Sequence, residues 1–259
     1  MVLTWWQRAW PLARKDIAAR YRGSVLGLAW ALAAPLALVV IYAAVFQGVF
    51  NARWPSAAGG SAADFALRLY AGLMVFTAVA ETATRAVRLL PDHANLVKRV
   101  VFPLDLLVVA LVQQAGIHAA LQSLVLGGLI VAYGGEVRWS WLALPVIWAW
   151  VLVLLLGLGW LLAALGCYLR DLQHLLPPLF GGLLFLSPVF YPRDAAPQAL
   201  RWALDLNPLT MPIETLRAVW FGGGVDAVAL SVALAGALAL ATAGLWLFRR
   251  LRPGFADLL

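Results

Sequence analysis

The first 22 residues hold the densest group of side chains that could bind a charged ligand. The cations in this segment are Arg8, Arg14, Lys15, Arg20 and Arg22. Guanidinium and ammonium groups form strong charge-assisted hydrogen bonds with phosphate oxygens. The residue types and their spacing therefore indicate binding of phosphate groups, either those of membrane lipids or those of an anionic substrate.

Apolar residues in the same segment recur at spacings of three and four, which is typical of one face of an amphipathic helix. These residues are Trp6, Trp10, Ala13, Ile17 and Tyr21. We predict a helix over residues 1–22 that lies in the headgroup region of a membrane, with its tryptophans facing inward. Two interpretations are open: a plain membrane anchor, or an anchor whose Arg14, Lys15, Arg20 and Arg22 also guide an anionic lipid-linked substrate.

No segment of the sequence indicates a nucleotide-binding loop. A Walker A loop requires Gly-Lys followed by Ser or Thr, whereas the only two lysines, Lys15 and Lys98, follow Arg14 and Val97. The chain therefore lacks this device for binding ATP, and we expect no cofactor bound to it.

Metal sites and disulfides are not indicated either. The three histidines, His93, His118 and His174, do not have the spacing of metal ligands. The twelve acidic residues are scattered, so local carboxylate pairs of the kind that hold Mg²⁺ are missing. Cys167 is the only cysteine and cannot form an intrachain disulfide.

The composition indicates that most of the chain lies in a lipid bilayer and not in water. Of the 259 residues, 64% are hydrophobic and only 12% are charged, about half the charge of a soluble domain. A hydrocarbon core about 30 Å thick needs roughly 20 apolar residues in a helix. Six segments meet or nearly meet this length, namely 23–51, 65–84, 106–135, 139–169, 172–192 and 227–248. We predict an all-α integral membrane protein with six transmembrane helices in a single domain, residues 1–259.

Two of these segments contain features that are unusual for a span. Glu81 lies near the end of the second, so it is predicted to face protein or water rather than lipid. The fifth is interrupted by Pro177-Pro178, Gly181-Gly182 and Pro188. Residues 191–225 follow this span. They are too few to cross the membrane twice and too apolar for a loop exposed to water. We predict two short re-entrant helices there, dipping into the outer leaflet between spans five and six.

The basic residues report the orientation. Of the 19 Lys and Arg residues, 13 lie on the side that holds both termini and 6 on the other. The positive-inside rule places both termini in the cytoplasm. The net charge of +7 is therefore a topology signal, and we expect no nucleic-acid partner. The inner loop 91–103, bounded by Pro91 and Pro103, is predicted to form a short helix parallel to the membrane.

Three groups of residues resemble the ABC-2 type permeases that export polysaccharides, most of all the O-antigen and teichoic acid exporters. The first group is Lys15-Asp16, Arg20-Tyr21-Arg22-Gly23-Ser24, Leu26-Gly27, Trp30 and Pro35. The second is Asn95-Leu96-Val97-Lys98, Val100 and Phe102-Pro103. The third is Arg170-Asp171, Ser187-Pro188, Tyr191-Pro192, Pro197, Asn207-Pro208, Glu214 and Arg217. Lys15 and Leu104-Asp105 depart from the usual pattern and leave the sub-type open.

The resemblance implies a homodimer of six-helix subunits with two copies of a cytoplasmic ABC ATPase, which would bind ATP and Mg²⁺. It implies that Arg14, Lys15, Arg20 and Arg22 lie near the diphosphate of a polyprenyl-linked glycan. The implied coupling helix, which docks on the ATPase, consists of Asn95, Leu96, Val97, Lys98, Arg99, Val100 and Val101. Aromatic residues of spans one and five would line a sugar path, since sugars offer apolar C–H faces; the alternative is ordinary packing. They are Trp30, Tyr42, Phe46, Phe185, Phe190 and Tyr191.

Our hypothesis from the sequence is the permease subunit of an ATP-driven exporter of a lipid-linked, O-antigen type polysaccharide in a bacterial inner membrane. One alternative is an ABC-2 exporter of another cargo, such as teichoic acid, capsule or a drug. The other is a membrane enzyme acting on polyprenyl phosphates. Such an enzyme would require acidic residues in inner loops, where the available ones are Asp16, Asp92, Asp105, Asp171 and Asp257.

Overall fold

Helices form the regular structure of this chain, as predicted. The computed structural model describes residues 2–22, 27–49, 54, 62–99 and 102–258. The helices are α1 Val2–Tyr21, α2 Trp30–Ala43, α3 Ala62–Asp92, α4 Ala94–Arg99, α5 Asp105–Ala132, α6 Leu144–Tyr168, α7 Leu172–Phe185, α8 Gln198–Leu206, α9 Thr210–Phe221, α10 Ala227–Leu251 and α11 Phe255–Leu258. A π-helical segment, Ala44–Val49, continues α2. This arrangement satisfies the backbone locally, as a membrane requires.

Within the described residues, five helical segments are long and apolar enough to cross a bilayer, which makes this a multi-pass membrane protein. They are Trp30–Gly48, Ala62–Asp92, Asp105–Ala132, Trp139–Tyr168 and Ala227–Leu258. The segments agree with five of the six predicted spans.

The structure differs from the prediction at the fifth span. α7 has 14 residues and is therefore about 21 Å long, shorter than a hydrocarbon core. Pro188 lacks a backbone N–H and disfavours helical geometry at Ser187. The Ser187 hydroxyl donates to the Leu183 carbonyl at 2.7 Å. The chain then continues through residues 186–191 in turns, a segment that we call the aromatic loop.

The second span is longer than predicted, and it shortens the loop that follows. The predicted span ended at residue 84, but α3 extends to Asp92 because its last turns bury Ala86, Val87 and Leu90. α4 then forms the short helix predicted between the two prolines. Val100 and Val101 of the predicted coupling segment lie outside the described residues.

The predicted N-terminal helix is present as α1, and it packs against α5. Ala9 and Ala13 are fully buried, and small residues allow two helices to approach closely. The Gln113 side chain donates to the Trp6 carbonyl at 2.7 Å. The Gln114 side chain donates to the Asp16 carboxylate at 3.2 Å. α1 is therefore attached to the bundle through its alanine face, which leaves Trp6 exposed.

Contacts between distant residues define the two ends of the bundle. At the end that we call the α4 end, the Tyr168 hydroxyl donates to the Leu251 carbonyl at 3.0 Å, and Arg249 contacts Asp105 at 3.4 Å. At the α9 end, the Trp141 indole donates to the carbonyl of Trp220 at 3.0 Å. The beginning of α5 and the ends of α6 and α10 thus meet at the α4 end.

Candidate functional site

The structure brings together five of the six aromatic side chains that were predicted to line a sugar path. Phe190 is the centre of this aromatic cluster: its ring stacks on Phe46 at 4.3 Å and meets the edge of Tyr42 at 5.1 Å. Phe185 lies 5.4 Å from it. The Tyr191 hydroxyl donates to the Phe185 carbonyl at 2.7 Å, which closes the aromatic loop on itself.

Trp30, the sixth predicted residue, is not part of this cluster. It begins α2, whereas Tyr42 lies near the end of the same helix, about 18 Å further along the axis. Its side chain is about half exposed. The structure therefore assembles the predicted aromatic residues at one level and leaves Trp30 at another.

The aromatic loop is held by the polar side chain of Asn207, which lies between α8 and α9. The Asn207 amide donates to the Leu186 carbonyl and to the Ser187 hydroxyl, both at 2.9 Å. Its oxygen accepts a hydrogen bond from the Leu209 N–H at 2.9 Å. Asn207 thus satisfies a backbone carbonyl that the end of α7 leaves without a helical partner.

Arg217 of α9 holds the next part of the loop. Its Nη2 donates to the carbonyls of Pro188 at 2.7 Å and Val189 at 3.2 Å. Its Nε donates to the Arg68 carbonyl at 3.2 Å, and the guanidinium lies 4.4 Å from the centre of the Trp54 ring. The guanidinium is buried, and an arginine side chain stays charged at neutral pH.

Sequence reasoning placed neither Asn207 nor Arg217 among the site residues. Both were recognised only as parts of a family-like motif, although they are polar residues in a largely apolar segment. Buried polar groups in such surroundings need hydrogen-bond partners. A polar residue in an apolar segment therefore indicates a structural or functional role, but the sequence does not show which group it binds.

The predicted phosphate-binding cations lie on the surface of α1 and in the residue that follows it. Arg14, Lys15 and Arg22 are exposed. Arg20 instead forms an ion pair with Glu81 of α3, and Arg85 lies 3.7 Å from the same carboxylate. Glu81 thus faces protein partners, and Arg20 connects the end of α1 to α3.

Five of the seven predicted coupling residues, Asn95 to Arg99, lie in α4, next to the C-terminal residues. Asn95 is exposed, whereas Leu96 and Val97 pack against the core at the α4 end. Lys98 and Arg99 complete the helix. α11 lies against α4.

The C-terminal segment is itself fixed by packing and by a hydrogen bond. Phe255 of α11 is fully buried, with its ring 5.3 Å from that of Phe248. Arg252 donates to the Phe102 carbonyl at 3.2 Å, just beyond α4. α4 is therefore presented at the surface on a packed base.

Comparisons with known proteins give a consistent result. A family model described as "ABC-2 type transporter" matches residues 7–221. The chain is similar to the O-antigen export system permease protein RfbA of Klebsiella pneumoniae, 26% identical over 96% of this chain and 93% of the relative. It is 27% identical to the protein of the same name in Myxococcus xanthus, over 95% and 93%. The polysialic acid transport protein KpsM of Escherichia coli is 26% identical over 82% and 80%.

Proposed function

This chain belongs to the ABC-2 type transporter family, and we propose that it is the permease subunit of an ATP-driven exporter of a lipid-linked, O-antigen type polysaccharide in a bacterial inner membrane. The observation that carries the proposal is the aromatic cluster, which draws residues from α2 and its π-helical continuation, from the end of α7 and from the aromatic loop. Aromatic faces stack on the apolar faces of sugar rings and allow them to slide without deep, strongly hydrogen-bonded sites. The similarity to polysaccharide exporters supports the same cargo class.

We propose that the chain works as a homodimer with two copies of a cytoplasmic ABC ATPase. ATP and Mg²⁺ would bind to the ATPase, since this chain has no Walker A loop. The exposed position of α4 on a packed base supports a docking role, because a rigid element transmits force better than a free loop. Binding of ATP would push α4, and the displacement would reach α2 and α7 through α3.

We propose six crossings, with both termini in the cytoplasm. The connectivity supports this number: α6 ends at the α4 end, whereas α9 ends beside Trp141 at the opposite end. The chain must return between them, and α7 with the aromatic loop is the element available for that crossing. α8 and α9 would be the re-entrant helices. The excess of Lys and Arg at the α4 end supports its cytoplasmic orientation.

A second cargo is favoured by one specific observation. The polysialic acid transport protein KpsM is also similar to this chain, which supports polysialic acid as the alternative substrate. The two cargoes share a chain of sugar rings, so the aromatic cluster suits both.

The proposal is tested by transport into vesicles. The chain is copurified with its proposed partner, a cytoplasmic ABC ATPase, reconstituted, and supplied with polyprenyl-diphosphate-linked O-antigen glycan on the outside of the vesicles. We expect ATP-dependent protection of the glycan from an added glycosidase. Protection without ATP, or turnover of the polyprenyl diphosphate by the chain alone, would contradict the proposal, and the latter would favour the membrane enzyme.

The exposed cations of α1 and the residue after it provide a prediction within this assay. Replacing Arg14, Lys15 and Arg22 by alanine should raise the glycan concentration needed for half-maximal export about tenfold, equivalent to about 1.4 kcal/mol of binding. The reason is the loss of charge-assisted contacts with the diphosphate. Arg20 stays in place because it binds Glu81. Arg201→Ala, which removes a cation at the other end, is the control, and unchanged export by the triple variant would exclude the headgroup role.

A further inference from the structure

The aromatic loop has an unusual environment for backbone inside a membrane domain. Residues 186–191 leave helical geometry, so their carbonyls lack helical partners, and unsatisfied backbone groups are costly away from water. Side chains supply the missing donors: Asn207 for Leu186, and Arg217 for Pro188 and Val189. We propose that Arg217 is the positioning residue that holds the aromatic cluster closed in the resting transporter. This inference rests on the proposed function.

Arg217 connects three elements at one point. It extends from α9, donates to the loop, and donates to the Arg68 carbonyl of α3. The approach to α3 is very close at Gly72, where a methyl group would lie 2.5 Å from Arg217 Nη2 and 3.3 Å from Val189 Cα. The loop and the guanidinium thus lie directly on the α3 backbone, with no space for a shift toward it.

The charge of Arg217 is a poor source of net stability. Only 6% of the residue is exposed, and among the described residues it has no ion pair with a carboxylate. One guanidinium nitrogen, Nη1, has no hydrogen-bond partner. Burying a cation in this way costs more than an apolar side chain of similar size would. Its contribution is therefore geometric, since it fixes two consecutive carbonyls at a defined distance from α3.

Those carbonyls control the centre of the aromatic cluster. Val189 immediately precedes Phe190, whose ring contacts Phe46, Tyr42 and Phe185. A shift of the Val189 carbonyl therefore moves the ring that joins α2 to the loop. Arg217 therefore affects the proposed sugar path indirectly, by setting the position of Phe190. Opening would require the loop to leave the guanidinium, or α9 to move with the loop.

The experiment measures leakage rather than export. The permease–ATPase complex is reconstituted without ATP into vesicles loaded with glucose, and release is followed by a coupled enzyme assay. We expect Arg217→Gln to increase the rate at least tenfold over wild type. Arg201→Gln should leave the rate unchanged. Arg201 is the matched control, because it also donates to backbone carbonyls of the outer segment, those of Ala196 and Asp194, away from the aromatic loop.

Two further variants decide whether Arg217 acts through Phe190. Phe190→Ala should leak to a similar extent, and the double variant should leak no faster than either single one, because both remove the same closure. Gly72→Ala, which pushes on Arg217 and Val189, should also leak and provides the test if Arg217→Gln fails to assemble. Tight vesicles with the assembled variants, or rates that add in the double variant, would overturn the inference.

Failure of the inference and failure of the proposed function are separable. Leakage of glucose requires no glycan, no ATP and no knowledge of the cargo. A wild-type complex that exports glycan, combined with tight Arg217→Gln and Gly72→Ala vesicles, would overturn only the positioning role. A wild-type complex that exports no glycan would contradict the proposed function whatever the leakage rates are.

Discussion

Replacing Gly244 by leucine is expected to separate α10 from α6 and to lower the free energy of unfolding by about 3 kcal/mol, the upper range for overpacking. A side chain at Gly244 would overlap the carbonyl oxygen of Gly157. The reverse contact is equally close, since a methyl group at Gly157 would lie 2.6 Å from the Ala241 nitrogen. Backbone atoms cannot rotate away as a side chain can, so the two helices must move apart.

The consequence extends to the α4 end. α10 carries Phe248 and Arg249, which contact Phe255 and Asp105. We therefore expect the variant to unfold at a lower temperature in detergent and to retain less ATPase during purification. Thermal unfolding followed by far-UV circular dichroism measures the first effect, and densitometry of the copurified subunit measures the second.

Gly236→Leu is the matched control, on the same helix and with the same gain in helix propensity. Nothing lies within 4 Å of a methyl group placed at Gly236. This variant should be as stable as the wild type or more stable. Equal destabilisation of the two variants would mean that the close crossing of α6 and α10 is not what holds α10 in place.

Reversing both charges at the end of α4, with Lys98→Glu and Arg99→Glu, is expected to reduce recovery of the ATPase at least tenfold in a pull-down. The physical reason is that two attractive charges become repulsive at the proposed docking surface, where electrostatic complementarity sets the rate and register of association. Export in vesicles should fall with it. We expect the unfolding temperature of the isolated permease to stay the same, which would separate a docking defect from misfolding.

Arg8→Glu with Lys15→Glu is the control for this prediction. It introduces the same change in net charge on the exposed surface of α1. A loss of ATPase binding in the α4 variant alone would therefore depend on where the charge lies and not on the net charge of the chain. We expect normal recovery of the ATPase with this control. If both double variants bound the ATPase equally well, docking by Lys98 and Arg99 would be wrong.

The sequence determined those features that depend on the length and polarity of a continuous segment. The spans around α2, α3, α5, α6 and α10 are recognisable because a bilayer core demands about 20 apolar residues in a row. The short helix α4 and the two short helices α8 and α9 follow from prolines and apolar content in the same local way. The aromatic residues were also found in this manner, from their position on two predicted spans and a family resemblance.

The tertiary structure alone decided which of these residues meet. It joined Tyr42, Phe46 and Phe190 and left Trp30 about 18 Å from Tyr42, although all four share the same sequence signal. It ended α7 after 14 residues and gave the freed carbonyls of the loop to Asn207 and Arg217. The hydrophobic pattern of a segment shows whether lipid, protein or water surrounds it. The partner of a buried polar group depends instead on packing between residues far apart in the chain.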